Sequence, residues 1–257
     1  MERDMTVGTP WKIILNFTIP IVIGNIFQQF YSMVDTVIVG KFVGTKALAA
    51  VGSTGTIGFL ILGFLMGLTA GFTVLTSQRF GAGDMPGMRK TVGSAAVLSV
   101  IVSVVMTVIS MAFMKPLLIL MNTPEDIFQD AYKYIMIICA GIFTQVMYNL
   151  LAGILRALGN SKTPLYFLLF SAALNIVLDL ALVYGIRMGI KGAAIATVIS
   201  QIVSGIGICI YTWMKMPELR FSLRPERIKE SQSVMGEVVR YSAASSIQQS
   251  VMNFGIL

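Results

Sequence analysis

Long apolar segments, each close to the length that crosses a lipid bilayer, dominate this sequence. A membrane-spanning helix needs about 20 apolar residues, and glycine, proline or charged residues mark the ends of each segment here. Because the bilayer core offers no hydrogen-bond partners to the backbone, segments of this length must be helical. We therefore predict an all-α polytopic membrane protein, with six membrane helices over residues 11–39, 47–76, 92–113, 132–155, 164–184 and 192–213.

The connections between these segments are too short to hold a soluble domain. The one long polar stretch follows the sixth segment, and a further apolar helix begins near Glu237. We predict a six-helix transmembrane bundle over residues 1–213 and a cytoplasmic linker over 214–235. Residues 236–257 are then the start of a seventh membrane helix, truncated at Leu257.

Composition supports the membrane assignment and explains the net positive charge. Only 12% of the residues are charged, against about 25% in soluble proteins. Lys and Arg outnumber Asp and Glu by 19 to 12 but lie in short loops, so nucleic acid is not an expected partner. With the N-terminus in the cytoplasm, about two thirds of the 19 basic residues fall on the cytoplasmic side, as the positive-inside rule requires. We expect a multi-pass protein of the cell inner (plasma) membrane.

Two aspartates, Asp35 and Asp179, lie well inside the apolar segments. A charge at bilayer depth is disfavoured by at least ~2.5 kcal/mol on insertion scales, so such residues face a cavity or a partner. Asn175 precedes Asp179 by four residues and shares its helix face. In the proposed topology, Asp35, Asp179 and Thr197 each lie about 9 Å from the outer end of their span, at 1.5 Å per residue. Oxygen-bearing side chains at one depth can share a proton or a hard cation.

The first apolar segment combines a polar face with a place to bend. Gln28, Tyr31 and Asp35 recur with helical spacing and share one face. Pro20 lies fifteen residues before Asp35 and removes a backbone donor from the helix interior. We expect the first helix to bend at Pro20.

The sequence lacks the residues of a metalloenzyme or an ATP-driven pump. It contains no His, no cysteine cluster and no nucleotide-binding G-x-x-x-x-G-K-[ST] loop. One carboxylate pair without such partners is a poor catalytic set, so we do not expect an enzyme or a cofactor. Buried acids without a motor indicate an ion-coupled secondary transporter.

Four stretches, in this order, resemble the multidrug and toxic compound extrusion (MATE) family. They are IPIVIGNIFQQFYSMVDTVIVGKFVGTKALAAVG in the first hairpin, SQRFGAGD after the second span, GILRALGNSKTP after the fourth and NIVLDLALVYG in the fifth. Members of that family have two six-helix lobes joined by a long cytoplasmic connection. The resemblance implies that this chain is one lobe of a two-lobe MATE fold plus the start of the second.

The resemblance also implies a site and an activity. In prokaryotic members a cation site lies in the first lobe, and the matching positions, which imply a Na+ or H+ site here, are Asp35, Asn175, Asp179 and Thr197. The proline that bends the first helix matches Pro20, and Gln28 and Tyr31 line the same cavity. The implied function is secondary active multidrug efflux, in which amphipathic organic cations leave by antiport with H+ or Na+. The expected partners are membrane lipid, small organic cations and a second lobe.

Two other functions stay open. A lipid-linked oligosaccharide flippase of the same superfamily would share the bundle but would place basic residues in its cavity for a pyrophosphate. No Lys or Arg is expected within the membrane here, which disfavours that function. The other alternative is a truncated half that does not transport.

Overall fold

The computed structural model describes residues 8–216 and 232–256. In this part of the chain the regular elements are helices, and no strand occurs. A π-helical segment, Leu180–Gly185, directly continues the sixth helix. The helices are α1 (Pro10–Phe42), α2 (Thr45–Gly81), α3 (Met85–Leu120), α4 (Glu125–Ala140), α5 (Ile142–Ala157), α6 (Lys162–Asp179), α7 (Ile190–Lys215) and α8 (Met235–Ile256).

The predicted all-α polytopic fold is confirmed. Five helices, with α6 and its π segment counted together, are long and apolar enough to cross a membrane, and a sixth span results if the bent pair of α4 and α5 is counted as one. α8 begins at Met235, close to the predicted start of the seventh helix. Most of the linker predicted over 214–235, and the end of the chain at Leu257, lie outside the described residues. The predicted division into three parts therefore stays a prediction.

The fourth apolar segment is not the single straight helix that its composition suggests. The chain bends by 45° between α4 and α5, at Gly141. A Cβ atom at this position would lie 2.8 Å from Val198 Cγ2 on α7. The absence of a side chain at Gly141 therefore lets α7 approach the bend closely.

Helix α2 packs against α8 along a row of glycines. A Cβ atom on Gly67 would lie 2.6 Å from Ser246 Cα, and one on Gly71 would lie 2.6 Å from Ser242 Cα. The backbones of the two helices therefore meet directly, which is how small residues promote helix association where water provides no hydrophobic driving force.

Polar contacts secure both ends of this helix pair. The Asn253 side chain donates a hydrogen bond to the carbonyl oxygen of Phe59 at 3.2 Å. Towards the other end, Arg79 forms an ion pair with Glu237. Backbone contact and paired polar groups together hold α8 against the six-span bundle.

We expect Gly67→Ala to lower the thermal unfolding midpoint of the detergent-purified chain, because the added methyl group overlaps the α8 backbone. Overpacking of this kind destabilises by about 1–3 kcal/mol. The matched control is Gly58→Ala on the same helix, where a Cβ atom meets nothing within 4 Å. That variant should unfold at the parental temperature or slightly above it, since alanine favours the helix. Equal midpoints for the two variants would contradict the assigned packing.

Candidate cation and ligand site

Asp35 on α1 and Asp179 at the end of α6 bring their carboxyl groups within hydrogen-bonding reach of one another. Asp179 is completely buried and Asp35 is half-buried. Each residue leaves its Oδ1 atom buried without a hydrogen-bond partner. Two carboxylates this close repel each other unless a proton or a cation lies between them. The pair therefore has the geometry of a site that gains and loses a positive charge.

Glycines allow the helices that carry this pair to approach one another. A Cβ atom on Gly24 of α1 would lie 3.2 Å from Leu168 Cδ2 and 3.5 Å from Leu165 Cδ1 on α6. A Cβ atom on Gly192, near the start of α7, would lie 3.2 Å from the backbone of Leu182 in the π segment. The π segment begins directly after Asp179, and such segments occur often at functional sites.

Asn175 connects the carboxyl pair to α7. It is 2% exposed, and one orientation of its amide satisfies both polar atoms. In that orientation its nitrogen donates to Asp179 Oδ2 at 3.2 Å, and its oxygen accepts from the backbone N–H of Thr197 at 3.3 Å. The Thr197 hydroxyl donates to the carbonyl oxygen of Ala193 at 3.1 Å. The structure thus brings Asp35, Asn175 and Asp179 together, whereas Thr197 reaches Asn175 and uses its own hydroxyl proton within α7.

Two tyrosines flank the carboxyl pair. Tyr31 on α1 and Tyr134 on α4 both lie close enough to Asp35 and Asp179 to interact with them electrostatically. The polar face of the first helix predicts Tyr31 at the site, whereas Tyr134 is not among the predicted residues. The sequence signal for Tyr134 is a tyrosine inside an apolar span.

A cavity of about 150 Å³ lies between α1, α5, α6 and α7, on the Pro20 side of the carboxyl pair. Pro20, Gln28 and Tyr31 all line it, and α1 runs through Pro20 as one continuous helix. The wall is rich in amide and hydroxyl groups, which belong to Asn25, Gln28, Gln145, Asn149, Gln201, Tyr31, Tyr148, Ser161, Ser171 and Ser204.

No Lys or Arg is expected within the membrane from the sequence, but one basic side chain reaches the cavity from a helix end. Arg156 lies in the last turn of α5, and its side chain lines the cavity. An arginine stem is long enough to carry the guanidinium several ångströms from its Cα atom. For this reason its position at a helix end did not reveal that it faces the cavity.

The sequence model of the MatE family matches residues 20–181, which is more than half of the chain. The chain belongs to the MatE family. It is 32% identical, over 99% of its own length, to a probable multidrug resistance protein, YpnP, of Bacillus subtilis. It is 27% identical over 96% of its length to a probable multidrug resistance protein, NorM, of Thermotoga maritima. A protein of Shewanella oneidensis named as an FAD transporter is 28% identical over 75% of the chain.

Solved MATE structures share the fold. An outward-facing multidrug resistance MATE family transporter superposes with a TM-score of 0.85 at 28% identity and covers 97% of this chain. A MATE protein in a bent conformation superposes with a TM-score of 0.84, also at 28% identity, over 97% of this chain. This MatE chain spans about half the length of the proteins it matches: 56% of YpnP, 53% of NorM, 43% of the FAD transporter and 55% of each of the two solved chains.

We expect Asn175→Leu to destabilise the chain, because it leaves Asp179 Oδ2 buried without its amide donor. The loss should be about 1–3 kcal/mol and should lower the thermal unfolding midpoint in detergent. Gln29→Leu is the control, since Gln29 is exposed on α1 and an exposed substitution changes stability by about 0.5 kcal/mol or less. A parental midpoint for Asn175→Leu would contradict the assigned contact.

Proposed function

We propose that this chain is the ion-coupling lobe of a secondary active multidrug efflux transporter. Its substrates are amphipathic, mostly cationic organic compounds, which leave the cell in antiport with H+ or Na+. The buried Asp35–Asp179 pair carries the proposal, because such a pair can exist with and without an added positive charge. The multidrug resistance names of the relatives support drug export.

In the proposed cycle α1 connects the ion to the ligand. The part of α1 beyond Pro20 carries Gln28, Tyr31 and Asp35 on one face, so these side chains move together if the helix bends there. Pro20 cannot donate a backbone hydrogen bond, which lowers the resistance to bending at the inner end of the cavity. Ion uptake by the pair from outside lowers its negative charge, which weakens the repulsion between the two carboxylates and lets α1 pack more closely against α6. The cavity then narrows and the ligand leaves.

We propose a proton rather than Na+ as the coupling ion. A proton can be shared by two neighbouring carboxyl groups without further ligands, whereas a sodium ion needs several oxygen ligands around it. The assigned orientation of Asn175 also presents an N–H donor, not an oxygen, to Asp179. A Na+ site would need that amide to turn over, so that its oxygen joins the carboxylates of Asp35 and Asp179.

We propose that the N-terminus lies in the cytoplasm, as the distribution of Lys and Arg along the sequence favours. Lys46 at the start of α2 pairs with Asp126 at the start of α4, with 3.3 Å between Lys46 Nζ and Asp126 Oδ2. This pair lies at the end that we propose faces outward. Arg79 and Glu237 meet at the opposite, cytoplasmic end. In bacteria the membrane is then the inner (plasma) membrane.

The proposal is tested by ethidium efflux from an efflux-deficient bacterium that carries the full reading frame. We expect the parent to export ethidium, and we expect Asp179→Asn to reduce export to the background of the empty host. The control is Glu125→Gln, which removes an exposed carboxylate in the first turn of α4 and should leave efflux unchanged. Efflux that survives Asp179→Asn would refute the assigned coupling site. A parent present in the membrane that moves no organic cation would refute drug export.

The coupling ion is tested in the same cells. We expect efflux to persist when choline replaces sodium, and to stop when a protonophore dissipates the proton gradient. Loss of efflux in choline at an intact proton gradient would identify Na+ as the coupling ion.

A flippase for lipid-linked oligosaccharides is the second candidate, and Arg156 is the observation that favours it. A basic residue on the cavity wall is what a pyrophosphate-bearing lipid needs. This candidate gains support if the parent exports no dye from cells and, after reconstitution into vesicles, translocates a lipid pyrophosphate across the bilayer.

A further inference from the structure

Arg156 makes the inner end of the cavity positive. Within the described part of the chain its guanidinium forms no ion pair and donates to no protein acceptor. Tyr148 lies beside it, but the Tyr148 hydroxyl already donates a hydrogen bond to the carbonyl oxygen of Pro164 at 3.0 Å. The arginine donors on the cavity wall are therefore available to a ligand.

The rest of the wall provides no negative charge to balance this arginine. The described lining residues include amides and hydroxyls but no carboxylate. Asp35 and Asp179 do not line the cavity and lie further along α1 and α6, beyond Tyr31. A cationic group at the inner end of the cavity would face Arg156 without a counter-charge, whereas an anionic group would pair with it.

We propose that the cavity binds apolar organic compounds through an oxyanion, a carboxylate or a phosphate, that pairs with Arg156. The planar guanidinium offers two parallel N–H donors to either group. Gln28 on α1 and Asn149 on α5 add amide donors to the cavity wall, and Leu165 and Leu168 on α6 contribute apolar side chains to it. The inference goes beyond the proposed function, because it assigns an anionic class of ligand to the inner end of the cavity, in addition to the organic cations proposed above.

Binding to the detergent-purified chain tests the proposal without any ion gradient. The probes are three dansyl compounds that differ at one end: dansylglycine is anionic, dansylglycinamide is neutral and dansyl-ethylenediamine is cationic. Fluorescence titration should show dansylglycine binding about tenfold more tightly than dansylglycinamide, as expected for one charge-assisted hydrogen-bonded pair. The cationic probe should bind most weakly. A parent that binds the three probes equally, or that prefers the cation, overturns the proposal.

Variants locate the preference at Arg156. Arg156→Gln should bind dansylglycine and dansylglycinamide equally, whereas Arg156→Lys keeps the charge and should keep part of the preference. The matched control is Lys162→Gln, which removes an exposed positive charge near the same end of the bundle and should bind as the parent does. A preference for dansylglycine that persists in Arg156→Gln overturns the proposal. If Arg156→Gln does not fold, Arg156→Lys decides, because unchanged affinity for all three probes would then exclude a role for the guanidinium.

Competition identifies the oxyanion. Hexanoate and hexyl phosphate should both displace dansylglycine, and hexanol at the same concentration should not. Stronger displacement by one of the two anions assigns the preferred head group, and displacement by hexanol alone would overturn the proposal.

The outcome is separable from that of the proposed function. If the parent exports ethidium but shows no preference among the dansyl probes, the efflux function stands and this inference is refuted. If the parent binds dansylglycine through Arg156 but exports nothing, the efflux function is refuted and the oxyanion site stands.

Discussion

The contact between Asp35 and Asp179 inside an apolar helical bundle is the constraint on which the rest of the structure depends. Two carboxyl groups in this environment repel each other when both are ionised, and water is not available to screen them. The pair is therefore stable only if it binds a positive charge or if the two carboxyl groups move apart. Asn175 donates to one of the two carboxyl groups, which leaves buried oxygen atoms on both residues free to accept that charge.

Glycine positions determine whether these helices can come close enough for such a contact. In a membrane, lipid tails are as apolar as the side chains, so helices associate by close packing and polar contacts. Gly24 lets α1 lie against α6, and Gly192 lets α7 lie against the π segment after Asp179. The same principle operates at Gly67, where α8 joins the bundle. The site is thus assembled by residues that have no side chain at the contact.

Spans and polar faces could be predicted from the sequence because both are local properties. Span length and composition are enough to predict the helices. The four-residue spacing predicts that Asn175 lies beside Asp179, and the structure places it there. The break at Gly141 could not be predicted in this way, since the residue that packs closely against it, Val198, lies on another helix that is distant in sequence. The orientation of Arg156 also depends on neighbouring helices. From its position at a helix end, Arg156 is predicted to belong to a loop. In the structure its side chain lines the cavity between α1, α5 and α6.

The cavity and the carboxyl pair together suggest how one ligand can be coupled to an exchanged ion. An anion held by Arg156 alone would favour a positive charge on the pair, so ligand and ion would bind together rather than exchange. A zwitterionic ligand behaves differently, because Arg156 would hold its anionic end and direct its cationic end towards Tyr31. Along α1 the wall from Pro20 to Tyr31 extends about 16 Å at 1.5 Å per residue, enough to separate the two ends. Under the proposed function, the cationic end would then lie nearer to Asp35 and would compete with the coupling ion, which is the mutual exclusion that antiport requires.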